Sequence, residues 1–180
     1  MRSLSVIELF AIRKRSLGVH NSVIQVTRKS LSELNIVGIS AQTTNAAEMN
    51  PLMAKIPSLW GQFWNNTVLT KIPNKQENVI VGVYTNYEKD YQGAYTLIIG
   101  APVTRKVDVI AGMTVVIIPA GTYLVFSNQG PVMPQIVMQT WQYIWQYFET
   151  NKQYQRVYVA DIEWYDTSSP EKVEIYISIT

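Results

Sequence analysis

The chain of 180 residues is 47% hydrophobic and 16% charged, with a formal net charge of +2, which suits one globular domain with a buried core and not a disordered chain. It contains no cysteine, which excludes disulfides, thiol catalysis and Cys-ligated zinc or iron–sulfur sites; we predict no cofactor and a cytoplasmic location. No run of about 18 apolar residues is present, so we predict no membrane-spanning helix.

Residues 1–21 are predicted to form a basic N-terminal arm outside a single domain at 22–180. The apolar stretch of the arm is interrupted by Glu8 and ends in three basic residues, and no small-residue cleavage site follows, so it does not match an export signal. Residues 1–29 hold six Lys or Arg and one acid, whereas 30–180 hold nine Lys or Arg and twelve acids. The body is therefore mildly acidic, the opposite of a nucleic-acid-binding surface.

The first half of the domain, about residues 22–104, has the pattern strand, strand, helix, strand, strand. Pro51 and Pro57 each suit the first turn of a short helix, because proline is tolerated there and not in a helix interior. Trp60 and Trp64 lie at i and i+4 and therefore share one helix face. The four runs that predict strands are NSVIQVTRK, ELNIVGIS, NVIVGVYTNY and AYTLIIGAPV.

The second half, about residues 105–180, repeats this order. The strand runs are GMTVVII, TYLVFSN, RVYVADIEWYD and KVEIYISI, and the helical run MPQIVMQTWQYIWQYFETN has Pro134 near its start. Trp141 and Trp145 repeat the first tryptophan pair at a sequence offset of 81. We predict an α+β fold built from a duplicated β-β-α-β-β unit, with pseudo-twofold symmetry and a central ligand cleft.

A second residue match, at the end of the third predicted strand of each half, gives a different offset. Tyr87-Glu88 matches Tyr165-Asp166 at an offset of 78, which aligns Glu163 with Thr85 and predicts that the acid is not duplicated. The four helical tryptophans support two interpretations, since an apolar stripe at helical spacing is usually core, whereas an indole that lines the cleft would attract a cation.

Glu163 lies between two apolar residues of the run ADIEWYD. Because side chains alternate along a strand, Glu163 and Tyr165 share one face, as Glu174 and Tyr176 do on the final strand. If these strands are neighbours, both Glu–Tyr pairs converge on one region. A buried charge requires a partner, so Glu163 is solvated, paired with Lys or Arg, or paired with a cationic ligand.

The runs LWGQFW, TWQYIWQYF, DIEWYD and VEIYISI resemble the GyrI-like, AraC-type effector-binding domain family, and most closely its single-domain members encoded on integron gene cassettes. The resemblance covers roughly residues 22–180. It implies a duplicated α+β unit whose central cleft binds amphipathic cationic aromatic compounds. It also implies that the acid at Glu163 faces the ligand cation, that aromatics at Tyr165 and Tyr176 line the pocket, and that Glu174 is a second acid there.

We predict no catalytic and no metal-binding residue. The full set of predicted ligand-binding residues is Glu163, Tyr165, Glu174, Tyr176, Trp60, Trp64, Trp141, Trp145 and Phe126. Regulators of this family carry a helix-turn-helix domain fused to the module, and only about twenty residues precede the first predicted strand here. The resemblance therefore implies a binder without its own DNA-binding domain, which sequesters compounds or reports to another protein.

Two alternatives from other classes stay open. A hydrolase of toxic small molecules could use Glu163 as a general base if burial raised its pKa, although the single histidine, His20, lies in the arm and argues against a Ser–His–acid triad. A protein-interaction or inhibitor module would use the basic arm to bind its partner. A homo-oligomer also stays open.

Overall fold

A computed structural model describes residues 23–105, 108, 110–131 and 133–180, so the predicted basic arm lies outside the described residues. Within them the chain forms eight strands and four helices, and none of these helices is both long and apolar enough to cross a membrane. The strands are β1 Gln25–Leu31, β2 Leu34–Thr44, β3 Val79–Thr85, β4 Ala94–Val103, β5 Thr114–Ile118, β6 Gly121–Gln129, β7 Arg156–Asp166 and β8 Lys172–Ile179. The helices are α1 Asn45–Glu48, α2 Ile56–Asn65, α3 Val68–Lys71 and α4 Gln135–Thr150.

The predicted order of elements is confirmed, with one correction at Pro51. Pro57 lies in the first turn of α2, and Pro134 immediately precedes α4. Pro51 instead lies in a turn after α1, because that helix begins earlier, where the Thr44 hydroxyl accepts the backbone N–H of Ala47. Proline commonly follows a helix C-terminus by one or two residues, since it cannot continue the helix.

All eight strands form one antiparallel sheet in the order β1-β6-β8-β7-β3-β4-β2-β5. Exchanging the two halves of the chain reverses this order and leaves it otherwise unchanged, which confirms the pseudo-twofold symmetry. The first strand of each half pairs with the second strand of the other half, since β1 pairs with β6 and β5 pairs with β2. The central neighbours are β3 and β7, one from each half.

The sheet is strongly curled. Only Ser32 and Glu33 separate Leu31 at the end of β1 from Leu34 at the start of β2, a span of at most about 11 Å. In a flat sheet β1 and β2 would lie six strand spacings apart, roughly 29 Å. The inner face of the curl is filled by side chains from all eight strands, and no helix of the described residues contributes to this cluster.

The helices pack on the outer face and leave a gap between them. Leu59 and Phe63 of α2 pack on β2 and β4, whereas Ile136 and Ile144 of α4 pack on β6 and β8. The core side of these two helices is therefore formed by other residues than the tryptophans, since none of Trp60, Trp64, Trp141 and Trp145 is buried. Neither helix covers the central pair β3 and β7 completely, and the floor of the candidate site is this uncovered strip.

Candidate functional site

A cavity of about 740 Å³ opens between α2 and α4 above the central strands. Its lining is almost entirely aromatic and aliphatic, and the volume falls in the range of small-molecule sites, about 300–1,000 Å³. The lining residues are Ile56, Pro57, Trp60 and Trp64 on the α2 side, Met133, Pro134, Val137, Met138 and Trp141 on the α4 side, and Ile80, Tyr84, Glu163, Tyr165, Asp166, Thr167, Pro170 and Lys172 from the strands β3, β7 and β8 and the β7–β8 link.

The carboxylate of Glu163 lies at the bottom of this cavity and is only 3% exposed. The Tyr84 hydroxyl and the Trp141 indole N–H donate to Oε1 at 2.8 and 2.7 Å, and the Tyr165 hydroxyl donates to Oε2 at 2.7 Å. Burial raises the pKa of Glu163 above its ordinary value, and the three donated hydrogen bonds oppose that rise. The carboxylate is therefore held rigidly by neutral donors.

The ion pairs among the described residues do not include Glu163. Lys29 and Lys172 pair with Glu174, and Arg156 pairs with Asp161. Asp161 differs from Glu163 in having a cationic partner, although both are buried acids of β7. It lies two residues before Glu163 and is 0% exposed. One buried acid of β7 thus has a cation supplied by the protein, and in the described part of the chain the other has none.

The pseudo-twofold axis passes between Gly82 and Glu163. β3 ends at Thr85 and β7 ends at Asp166, an offset of 81, which is also the offset between Trp60 and Trp141. The same offset relates Gly82 to Glu163, and these two residues face each other directly in the β3–β7 register. It also relates Tyr84 to Tyr165, the two hydroxyl donors of the carboxylate.

Ring contacts in the cavity repeat with the same symmetry. Trp60 meets Tyr165 edge to face with ring centroids 5.7 Å apart, and Trp141 meets Tyr84 in the same way at 5.4 Å. Each indole thus packs on the tyrosine of the other half. These aromatic rings present π faces and edges around a carboxylate, an arrangement that suits a cation with apolar bulk.

The offset of 78 is therefore wrong for these strands, and so is the alignment of Glu163 with Thr85. Thr85 is adjacent to Tyr84, whose side chain reaches Glu163, so Thr85 lies on the opposite face of β3. The equivalent of Glu163 is Gly82, and a Cβ atom at Gly82 would lie 2.9 Å from Glu163 Oε2. Two side chains cannot occupy the axis together, which explains why the acid is not duplicated.

Five of the nine predicted residues come together in the cavity: Trp60, Trp64, Trp141, Glu163 and Tyr165. Trp145 lies beside Trp141 with ring centroids 6.4 Å apart, but it is not part of the lining. Phe126 also lies outside the lining, since it is buried beneath α4 among other aromatic rings. Their predicted place in the pocket is not what the structure shows.

The predicted convergence of the two Glu–Tyr pairs is wrong. β7 and β8 are neighbours, as expected, but Trp164 is the residue opposite Glu174, and Ile175 is opposite Glu163. Glu174 and Tyr176 therefore point to the inner face of the sheet, away from the cavity, and Tyr176 belongs to the inner cluster. There Glu174 accepts a hydrogen bond from Tyr176 and pairs with Lys172 at 3.0 Å.

Tyr84 lines the cavity and donates to Glu163, and it is absent from the residues predicted from the sequence. The sequence contains a signal for this residue, because the offset of 81 that relates the two tryptophan pairs also relates Tyr84 to Tyr165. The aliphatic rim from Met133 to Met138 had no comparable signal. No three His, Asp or Glu side chains cluster in the described ranges in the way that a metal ion would require.

A family model and several known proteins are similar to this chain. A family model described as integron-associated effector binding protein, Cass2, matches residues 29–179. YobU of Bacillus subtilis (strain 168), whose name describes it as a candidate transcriptional regulator protein, is 32% identical over 148 residues, which are 79% of this chain and 89% of YobU.

Solved structures with the same fold include the integron cassette protein VCH_CASS2 from Vibrio cholerae. It has a TM-score of 0.76 and 32% identity, over 89% of this chain and all of that one. A second structure, SAV2435 bound to tetraphenylphosphonium, has a TM-score of 0.68 and 21% identity, over 87% of this chain and 94% of that one. The second likeness shows the fold alone.

Proposed function

This chain belongs to the family of integron-associated effector-binding proteins, and from that premise we propose that its cavity binds amphipathic cationic aromatic compounds, with Glu163 as the partner of the positive charge. The family is one of effector-binding proteins rather than enzymes, which disfavours the hydrolase alternative. Binding a small molecule is thus the shared activity, and the proposal concerns the chemical class of that molecule.

The observation that carries the proposal is the buried carboxylate without a cationic partner in the described part of the chain. Asp161 shows how this fold neutralises a buried acid when a ligand is not involved, by placing Arg156 against it. Glu163 receives only neutral donors from Tyr84, Trp141 and Tyr165. A buried charge is unfavourable unless it is paired, and a cation that enters the cavity would supply the missing partner.

The walls favour a ligand that is also aromatic and apolar. Trp60, Trp64, Trp141 and the two tyrosines surround the carboxylate with rings. A cation over such rings gains roughly 0.5–2 kcal/mol, depending on how far it is desolvated. Support also comes from SAV2435, a protein of the same fold whose structure holds tetraphenylphosphonium, a cation with four aromatic rings.

The proposal can be tested by measuring dissociation constants for three probes of similar shape by isothermal titration calorimetry. These are tetraphenylphosphonium, neutral triphenylphosphine oxide and anionic tetraphenylborate. We expect wild type to bind the cation most tightly, and Glu163→Gln to weaken that binding about tenfold or more, which corresponds to a loss of roughly 1.4 kcal/mol or more of attraction between the two opposite charges. Binding of the neutral probe should hardly change.

Glu163→Gln preserves the shape of the side chain, and a tyrosine hydroxyl can accept a hydrogen bond as well as donate one. Glu149→Gln is the matched control, because it removes the same charge from an exposed position on α4. If wild type binds all three probes equally, or if the two glutamine variants weaken cation binding to the same extent, Glu163 is not the charge partner and the proposal is wrong.

A further inference from the structure

The hydrogen-bonding capacity of Glu163 is almost used up by the protein. An ionised carboxylate offers about four acceptor positions, two on each oxygen. Tyr84 and Trp141 occupy both positions on Oε1, and Tyr165 occupies one on Oε2. One position on Oε2 is therefore left for anything that enters the cavity.

That remaining position is crowded. Gly82 faces Glu163 on β3 and lies beside this oxygen, since the position that a Cβ atom would take at Gly82 is 2.9 Å from Oε2. The carboxylate as a whole is only 3% exposed. An N–H group of a ligand would reach it only by displacing one of the three protein donors.

Other acceptors are scarce near the carboxylate. The two tyrosine hydroxyls that donate to Glu163 keep an acceptor position of their own. The other lining side chains that can accept are Asp166 and Thr167, which are exposed at the end of β7, and Asp166 Oδ1 already accepts from Ser168. Lys172 is a cation and is paired with Glu174. An ammonium ion with three N–H donors would therefore leave its hydrating water and find mainly aromatic rings, which is unfavourable for each unmade hydrogen bond. A quaternary ammonium or phosphonium ion has no N–H group to leave unpaired.

From this geometry we infer that the site selects cations that carry their charge without N–H donors, such as quaternary ammonium and phosphonium ions, over ammonium ions of the same aromatic bulk. The inference rests on the proposed function of the same cavity. Glu163 acts on the ligand as a point charge and not as a hydrogen-bond acceptor. Tyr84 and Tyr165 are the specificity-determining residues, because each withholds one acceptor position from the ligand.

The test compares 1-naphthylmethyl-trimethylammonium with 1-naphthylmethylammonium by calorimetry at pH 7.5, where each probe carries one positive charge. Wild type should prefer the quaternary ion. Tyr84→Phe and Tyr165→Phe each free one acceptor position, so the preference should fall about tenfold, which corresponds to roughly 1.4 kcal/mol for one regained hydrogen bond to a charged group. Comparing preferences between variants removes the apolar contribution of the three methyl groups, since that contribution is common to all of them.

Tyr143→Phe is the matched control, because Tyr143 is exposed on α4 and lies outside the lining of the cavity. Its preference should equal that of wild type. Circular dichroism melts establish that each variant is folded, and because Tyr84 and Tyr165 are symmetry equivalents, either one alone suffices for the test. If wild type and both variants bind the two probes with the same preference, the inference is wrong while the proposed function stands. If folded wild type binds neither these probes nor tetraphenylphosphonium, the proposed function itself fails.

Discussion

Gly82 and Glu163 are equivalent residues of the two half-repeats, and they face each other across the central β3–β7 register. The pseudo-twofold axis runs between them, so any side chain at one position occupies the space of the other. Glycine at one position makes room for the acid at the other. A symmetric scaffold thus holds one asymmetric charge, and its two equivalent tyrosines each donate to one of the two carboxylate oxygens.

We predict that Gly82→Ala displaces the Glu163 carboxylate. The new Cβ would lie 2.9 Å from Oε2, so the carboxylate must move and the hydrogen bond from Tyr165 must lengthen or break. Leaving a buried polar group unsatisfied costs about 1–3 kcal/mol. We expect a loss of that size in the free energy of unfolding, measured with urea, together with weaker binding of tetraphenylphosphonium.

The comparison for this variant is Gly61→Ala. A Cβ at Gly61 meets nothing within 4 Å, and the residue lies within α2. Alanine is favoured over glycine inside a helix by roughly 0.5–1 kcal/mol, so this variant should be as stable as wild type or more stable. Equal stability of the two alanine variants would show that Gly82 is not needed to make room for the acid.

A second prediction concerns the stability of the protein as a function of pH. Burial holds the pKa of Glu163 in the folded protein above its ordinary value of 4.5. Below 4.5 the group is mainly protonated in both states, and its full contribution to stability is present. As the pH rises, the unfolded chain ionises first, so the free energy of unfolding falls until the pH passes the raised pKa.

Urea unfolding of wild type and Glu163→Gln from pH 4 to 8 checks this sign. The glutamine variant lacks the ionisation, so its stability relative to wild type should increase as the pH rises. Affinity for tetraphenylphosphonium should change in the other direction for wild type, becoming tighter at higher pH as the carboxylate ionises. The same acid would then lower stability and strengthen binding at neutral pH, a trade-off common at functional sites. A stability difference that does not vary with pH would contradict the raised pKa.

The sequence predicts the elements of this fold better than their pairing. Period-2 runs end where the strands end, so that β4, β7 and β8 have the predicted bounds. Nothing local indicates that β1 pairs with β6 and β5 with β2, because an apolar strand fits any neighbour of suitable length. The exchange follows from the curl of the sheet, which brings the end of β1 close to the start of β2 and the end of β5 close to the start of β6.

The candidate site shows the same limit at the level of single residues. Glu163 and Tyr165 were predicted together because they lie on one strand, where alternation fixes the face. Glu174 was placed beside them wrongly, since a shift of one residue in register moves every side chain of a strand to the other face. Predicting Tyr84 requires the offset of 81 rather than 78 between the two halves. The choice between these offsets is decided by which side chains of β3 share a face with Glu163 in the folded sheet.

Two exposed tryptophans, one on α2 and one on α4, form a matched pair for a binding test. Trp64 and Trp145 are symmetry equivalents at the offset of 81, and they are 57% and 39% exposed. Trp64 lines the cavity, whereas Trp145 does not. We expect Trp64→Ala to weaken binding of tetraphenylphosphonium about two- to fivefold, the range for an exposed cation–π contact of roughly 0.5–1 kcal/mol.

Trp145→Ala removes an exposed indole from the equivalent position of α4, so it should leave this affinity unchanged. Calorimetric titrations of the two variants separate a role in binding from a general effect of losing a surface aromatic residue. The asymmetry is informative because the backbone on the two sides is related by the pseudo-twofold axis. Equal weakening by both variants would mean that the ligand contacts both helices at their outer turns, and that the mouth of the cavity is wider than the lining residues indicate.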